Sequence, residues 1–166
     1  MHTIDWYLVH TKPRQELLAL ENLHRQGYEC YLPRMRVEKI RGRKASTANE
    51  PMFPRYLFIR LDSGEQGKSW SPIRSTLGVS QLVQFGGRPA RVDDALVAHL
   101  IERERALPEQ VLFSAGDSVV ITQGPFAGLE AVYQTRDAEK RSLILLEILT
   151  KTVKMQIETV ALRKTS

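Results

Sequence analysis

A chain of 166 residues with 42% hydrophobic content fits one ordinary domain or two small ones, each with a modest core. Lys and Arg outnumber Asp and Glu by 24 to 19, and the whole excess of +5 falls in the first hundred residues, which points that part towards a polyanionic partner. No apolar run reaches the roughly 20 residues of a membrane span, the N-terminus lacks a secretory pattern, and the single cysteine, Cys30, excludes an internal disulfide; a reducing cytoplasm is expected, with no membrane contact.

Ile4 to His10 (IDWYLVH) is aromatic and β-branched enough for a strand. Thr11 as cap and Pro13 as an early helical residue predict a helix next, with Leu17, Leu20, Leu23 and His24 as its stripe, Glu16, Glu21 and Arg25 off it, and Gly27 as its stop. Tyr28 to Leu32 reads as a second strand. From Arg34 to Lys44 (RMRVEKIRGRK) basic residues crowd around Gly42, the pattern of a hairpin with a solvated tip.

Pro51 and Pro54 then impose extended geometry, and a buried strand, Tyr56 to Leu61, follows. A loop at Asp62 to Lys68 precedes a short helix begun around Pro72, a strand from Val79 to Phe85 and a turn at Gly86-Gly87. Asp93-Asp94 caps a helix through Leu107, with Leu96, Val97, Leu100 and Ile101 on one face. This order predicts an α+β sandwich, one mostly antiparallel sheet with helices against it, over residues 1–105. Residues 106–113, around Leu107-Pro108-Glu109-Gln110, read as a linker.

In residues 114–166, the β-branched run Ser118 to Thr122 and breaks at Gly124-Pro125, Gly128 and Asp137-Ala138 imply short strands of a small barrel. Leu143 to Ile157 (LILLEILTKTVKMQI) fits two periods, however. Leu145, Ile148, Leu149, Thr152 and Val153 line a helical face, whereas Val153, Met155 and Ile157 alternate as in a strand, and intrinsic preference does not choose.

No phosphate loop, nucleophile elbow, HExxH or paired-cysteine motif is present, so neither an enzyme nor a cofactor or metal is expected. Cys30, between Glu29 and Tyr31 in a strand, reads as a small core residue, and His2, His10, His24 and His99 are scattered. The basic hairpin, with Arg41 and Arg43 at its tip, is either a solvated face or a nucleic-acid contact. Lys12, Arg14 and Gln15 at the first helix and Arg74 near the second offer phosphate-neutralising cations and an amide for base edges. Phe53, Tyr56 and Phe58 read as core or as an exposed docking patch.

Trp6-Tyr7, FPRYLF at Phe53 to Phe58, and Gly78-Val79 leading into LVQFG resemble the N-terminal domain of the NusG family; Gly116-Asp117 with Gly124-Pro125-Phe126 and Gly128 resembles its C-terminal KOW barrel. VEKIRGRK, Glu50-Pro51 and WSPIRSTLGV resemble the operon-specific RfaH branch. The resemblance spans almost the whole chain and implies a monomeric elongation and antitermination factor whose first domain binds the clamp helices of bacterial RNA polymerase and the non-template DNA strand. It implies DNA contacts at Lys12, Gln15, Arg41, Arg43, Arg74 and Thr76, and polymerase contacts at Phe53, Tyr56, Phe58, Val97 and Leu100. Ser69-Trp70-Ser71 stands where the branch has a His-Thr-Thr gate-loop contact, and Leu77 where it has an arginine near DNA.

For the second domain, the branch implies either a five-stranded barrel that recruits a small ribosomal subunit protein or an α-helical hairpin docked on the first domain. Glu50 and Arg141 match its interdomain ion pair, and Phe126, Leu145, Ile148 and Leu149 its docking residues. A housekeeping NusG and a KOW-containing ribosomal or RNA-binding protein are the alternatives.

Overall fold

Strand β1 (Ile4–Thr11) is apolar on both sides because it runs through the middle of the molecule. Trp6 and Leu8 enter one core while Tyr7 and Val9 enter a second, as the two-residue period of a strand requires. The computed structural model of the chain, which describes residues 3–106 and 128–165, places β1 inside a five-stranded antiparallel sheet. Strand β2 (Glu29–Tyr31) and, further along, β5 (Tyr56–Asp62) lie to one side, β5 pairing with β1 from Ile4 opposite Asp62 to His10 opposite Tyr56. On the other side of β1 lie β6 (Val79–Leu82) and β9 (Arg91–Val92).

Helices cover both faces of this sheet. Helix α1 (Glu16–Arg25) contributes Ala19 and Leu23, and α2 (Ser71–Arg74) contributes Ile73, to the core of Tyr7 and Val9. Helix α3 (Asp94–Ala106) brings Leu96, Val97 and Leu100 to the core of Trp6 and Leu8, and Asp93 caps it by accepting from the Ala95 amide at 2.9 Å. Two small hairpins complete this part: β3 (Arg34–Arg41) with β4 (Lys44–Pro51), turning at Gly42 with φ of 63°, and β7 (Gln84–Phe85) with β8 (Arg88–Pro89). Cys30 is half-buried, and burial pushes its thiol up to about 12, which suits a packing residue.

Three sequence expectations change. Thr11 does not cap α1; it ends β1, where its amide donates to Arg55 and the next amide, of Lys12, donates to Gly78, so the helix starts only at Glu16. The buried stripe of α1 is Glu16, Ala19 and Leu23, and Leu17 is exposed. The strand expected from Val79 to Phe85 is broken at Val83, whose amide turns back to the Leu8 carbonyl at 2.9 Å.

At the C-terminus the described residues take the helical one of the two expected forms. Among the described residues this part has no strand: α4 (Leu129–Gln134) and α5 (Ala138–Thr165) form an antiparallel hairpin. Asp137 caps α5 through the Glu139 amide at 3.0 Å. Leu145, Ile148 and Leu149 are buried in one core with Leu8 and Leu100, so the helical period is satisfied by tertiary packing over Leu145 to Leu149. The linker Leu107 to Gln110, the run Ser118 to Thr122, Gly116-Asp117, Gly124-Pro125 and Phe126 lie outside the described residues. No helix of the described residues is long and apolar enough to cross a membrane.

Candidate functional site

The FPRYLF segment turns sharply before it becomes β5. Arg55 holds φ of 72°, kept there because its amide donates to Glu16 Oε2 at 3.1 Å and its side chain donates to the Thr11 carbonyl. The turn drives Phe53 inward, edge-on to Phe58 with centroids 6.4 Å apart, while Phe58 also stacks with Tyr31. Phe53, Phe58, Val97 and Leu100 are buried, and Tyr56 is half-buried beside His10 at 5.0 Å. Burial, then the Arg55 guanidinium, lowers the His10 pKa, so this imidazole is neutral near pH 7.

These apolar residues do not face water alone. Leu129, Val132 and Tyr133 of α4 and Leu145, Ile148 and Leu149 of α5 complete the same core. Full burial of an apolar side chain contributes about 1.5–3 kcal/mol, so six of them supply most of the gross docking energy. A polar network fixes where the hairpin sits. Arg141, 1% exposed, donates to Glu50 Oε1 at 2.9 Å, to the Met52 carbonyl at 2.7 Å and to the Thr135 carbonyl at 3.0 Å. Ser142 donates to the Pro54 carbonyl at 3.0 Å. Tyr133 lies under the Arg103 guanidinium, 4.1 Å from ring centroid to carbon, and edge-on to His99; burial pushes its phenol up to about 12.

The expected nucleic-acid residues sit elsewhere. Lys12 and Gln15 lie against the turn that follows α2, because the Lys12 amide donates to Gly78 and a side chain on Gly78 would come within 2.8 Å of the Ala19 amide nitrogen and 3.1 Å of the Gln15 carbonyl. Gly78 also holds φ of 88°, where glycine is favoured. Lys12 and Arg74 are exposed, as is Leu77 in the turn. Thr76 departs from expectation: it is buried, and its hydroxyl donates to the Pro72 carbonyl at 2.8 Å and accepts from Gln26 at 2.7 Å, which leaves it a turn-stabilising role. Arg41 and Arg43 are exposed at the tip of the separate β3–β4 sheet.

In the Ser69-Trp70-Ser71 segment, the indole of Trp70 donates to the Asp62 carbonyl at 3.1 Å and meets Tyr7 edge-on at 4.9 Å, so this residue anchors the loop to the body. The exposed groups there are the hydroxyls of Ser69 and Ser71, 3.2 Å apart. Phe126 lies outside the described residues.

Sequence reasoning missed Tyr133, Arg103, His99 and Ser142. A signal for the first existed: Leu129, Val132 and Tyr133 recur at helical spacing, but a stretch of six residues between Gly128 and Thr135 reads equally as a short strand. Among the described residues no group of His, Cys, Asp and Glu is placed to hold a metal ion.

Residues 4–101 match the family described as "Transcription termination factor nusG". The "Transcription termination/antitermination protein NusG" of Thermus thermophilus is 32% identical over 144 residues, covering 75% of this chain and 78% of that protein. Its namesake from Deinococcus radiodurans is 27% identical over 170 residues, covering 87% and 90%. The solved structure "Domain interaction in Thermotoga maritima NusG" aligns with a TM-score of 0.46 at 24% identity, covering 74% of this chain and 75% of that one. By the extent of the family match and the identity to the Thermus protein, the chain belongs to the NusG family of transcription termination/antitermination factors.

Proposed function

We propose that this chain is a self-masked elongation and antitermination factor of the RfaH kind. Its N-terminal domain binds the clamp helices of RNA polymerase through Tyr56 and the apolar residues around Phe53, Phe58, Val97 and Leu100, and holds exposed non-template DNA through Lys12, Gln15 and Arg74. Bridging the polymerase cleft in this way stabilises one enzyme state against the opening that accompanies pausing. The observation that carries the reading is the shared core: the α4–α5 hairpin buries the same apolar face, so hairpin and polymerase compete for it. On release, the C-terminal part refolds as a barrel and meets a small ribosomal subunit protein, which joins translation to transcription.

Pull-down of core polymerase by the full chain tests this. Wild type should bind weakly and Arg141→Ala strongly; equal binding would refute the masking. A second reading, a housekeeping NusG working on most transcripts, has its own support in the names of the relatives, which are those of the general factor. Mapping the chain against polymerase in the native host separates the two, since a specialised factor follows polymerase on a few long operons and a housekeeping one on most genes.

A further inference from the structure

Strand β3 and the turn between α4 and α5 meet over a small cavity of about 30 Å³, lined by Arg36, Val37, Glu38, Arg136 and Arg141. Three of these side chains are arginines, and they come from both parts of the chain. Arg36 and Glu38 stand two positions apart on β3 and so share one face of the strand. Arg136 lies in the turn before α5, and Arg141 lies in the first turn of that helix. Asp137 holds the turn in place by accepting from the Glu139 and Lys140 amides at 3.0 and 3.4 Å.

Arginine keeps its charge at any ordinary pH. Three cations therefore share the walls with one lining carboxylate, Glu38, while Glu50 pairs with Arg141 at 2.9 Å. Each nitrogen of Arg141 has an acceptor: Nε the Met52 carbonyl, Nη1 the Thr135 and Arg136 carbonyls, and Nη2 the Glu50 carboxylate. A guanidinium has five N–H groups, so one on Nη2 is left over in a side chain only 1% exposed. The Arg136 side chain is exposed and has no ion-pair partner among the described residues; only its carbonyl serves Arg141. Cations gathered at a partly buried site are costly unless an anion joins them.

We infer that this cavity binds the terminal phosphate of a small anion, inorganic phosphate or a phosphomonoester, and so ties the C-terminal hairpin to β3. A phosphoryl group carries nearly two charges and three strong acceptor oxygens, a match for three guanidinium forks. A carboxylate has one charge and is satisfied by a single fork. A water needs about 10–15 Å³, so the cavity takes about two oxygen-sized groups, with the rest of the ligand at the mouth, where Arg136 and Glu38 are exposed. The phosphodiester of a nucleic acid carries one charge and a substituent on either side, and fits so small a cavity poorly.

Arg36 belongs to the N-terminal part, and Arg136 and Arg141 belong to the hairpin, so the site is whole only while the hairpin is docked. A ligand confined to the docked form stabilises it by mass action, and at ten times its dissociation constant it raises the ratio of docked to released hairpin about elevenfold. This deepens the proposed function and rests on its self-masking for the consequence: phosphate strengthens the mask, and its depletion weakens it.

The test is nuclear magnetic resonance titration of the full chain, following the Val37 amide and the Arg136 side-chain N–H, with hydrogen exchange of the α5 amides as the second readout. Inorganic phosphate and methyl phosphate should give saturable shifts, and the tighter of the two names the source as free phosphate or a phosphomonoester. Acetate and dimethyl phosphate, at equal ionic strength, should bind at least about tenfold more weakly. Arg136→Gln, which leaves the backbone contact to Arg141 in place, should weaken phosphate by about tenfold or more, the loss of one hydrogen bond to a charged group. Glu38→Gln should tighten it. Lys140→Gln removes a nearby exposed cation that does not line the cavity and should leave affinity within roughly twofold, as expected for a screened charge. Saturating phosphate should slow α5 exchange in wild type and not in Arg136→Gln. Absence of saturable binding, acetate or dimethyl phosphate binding as tightly as phosphate, or equal affinity in Arg136→Gln would each overturn the site. The pull-down with Arg141→Ala, run without phosphate, reports on masking alone, so the two readings can fail separately.

Discussion

Arg141 reaches across from α5 to place its Nη2 2.9 Å from Glu50 Oε1 at the root of β4, and it does so with 1% of its surface exposed. Burying a guanidinium is costly unless each donor finds an acceptor, and here Glu50, Met52 and Thr135 supply them. The ion pair is therefore the part of a larger network that sets hairpin register, while apolar burial supplies most of the affinity.

Removing one partner of such a pair leaves the other uncompensated, at about 3–5 kcal/mol. Arg141→Ala should therefore shift the ratio of docked to released hairpin by about 100- to 4,000-fold towards release, at about 1.4 kcal/mol per tenfold. Hydrogen exchange of the α5 amides reads this directly. Protection equal to wild type would show that the network has no part in docking.

Tyr133 gives the docked state a pH limit. Burial raises its phenol from 10.0 to about 12, so the neutral form is favoured when α4 is docked. For a group whose pKa is raised on folding, the stabilisation is complete below pH 10 and is lost as pH rises through about 12. The hairpin should loosen in that window. Tyr133→Phe, which cannot ionise, should lose the Tyr133-dependent part of the transition, and identical alkaline profiles by helical circular dichroism would exclude it.

Much of the first hundred residues is legible in the sequence because local and tertiary signals agree there. Ile4 to His10 looks like a strand and is one, and Asp93 both resembles a cap and acts as one. The start of α1 is not legible, since Thr11 and Lys12 spend their amides on Arg55 and Gly78, partners far away in sequence. Leu143 to Ile157 is undecidable for a deeper reason: its apolar residues satisfy both periods, and the choice falls to what packs beside them. Thr76 has the chemistry of a DNA contact, but its hydroxyl is consumed within its own turn and by Gln26.

The aromatic face calls for a particular choice of variant. Phe58 is fully buried, so Phe58→Ala should cost about 3–5 kcal/mol of fold stability and would confuse folding with binding. Tyr56 is only half-buried. Tyr56→Ala, introduced together with Arg141→Ala, should keep a cooperative melting transition yet reduce polymerase binding at least tenfold. Binding undiminished from that of Arg141→Ala alone would remove Tyr56 from the interface.

Gly78 joins α1 to the turn after α2 through backbone contact. With φ of 88° and the Ala19 amide nitrogen 2.8 Å from where a side chain would begin, Gly78→Ala must both strain the turn and push α1 away. A cost of about 1–3 kcal/mol is expected from the conformation alone. For a domain of this size, each kcal/mol corresponds to about 4–8 °C of melting temperature. Single-stranded DNA binding should weaken in the same variant because Lys12 and Gln15 move with α1. An unshifted melting curve would contradict the close approach.

The two proposed surfaces should respond independently to opening of the hairpin. Phe53, Phe58, Val97 and Leu100 share the core on one side of the sheet with α4 and α5. Helices α1 and α2, which position Gln15 and Arg74, pack on the core of the opposite side. Masking is consequently a property of one face, and a docked chain keeps its exposed Lys12 and Arg74. A ligand shifts an equilibrium only by its differential affinity for the two states, so single-stranded DNA, bound equally in both, should neither open nor close the hairpin. Arg141→Ala is expected to raise polymerase affinity by the released fraction while changing affinity for single-stranded DNA less than about twofold. If the variant gained affinity for both ligands in parallel, the hairpin would be masking both faces, and the separation of the two surfaces by the sheet would not describe how the protein works.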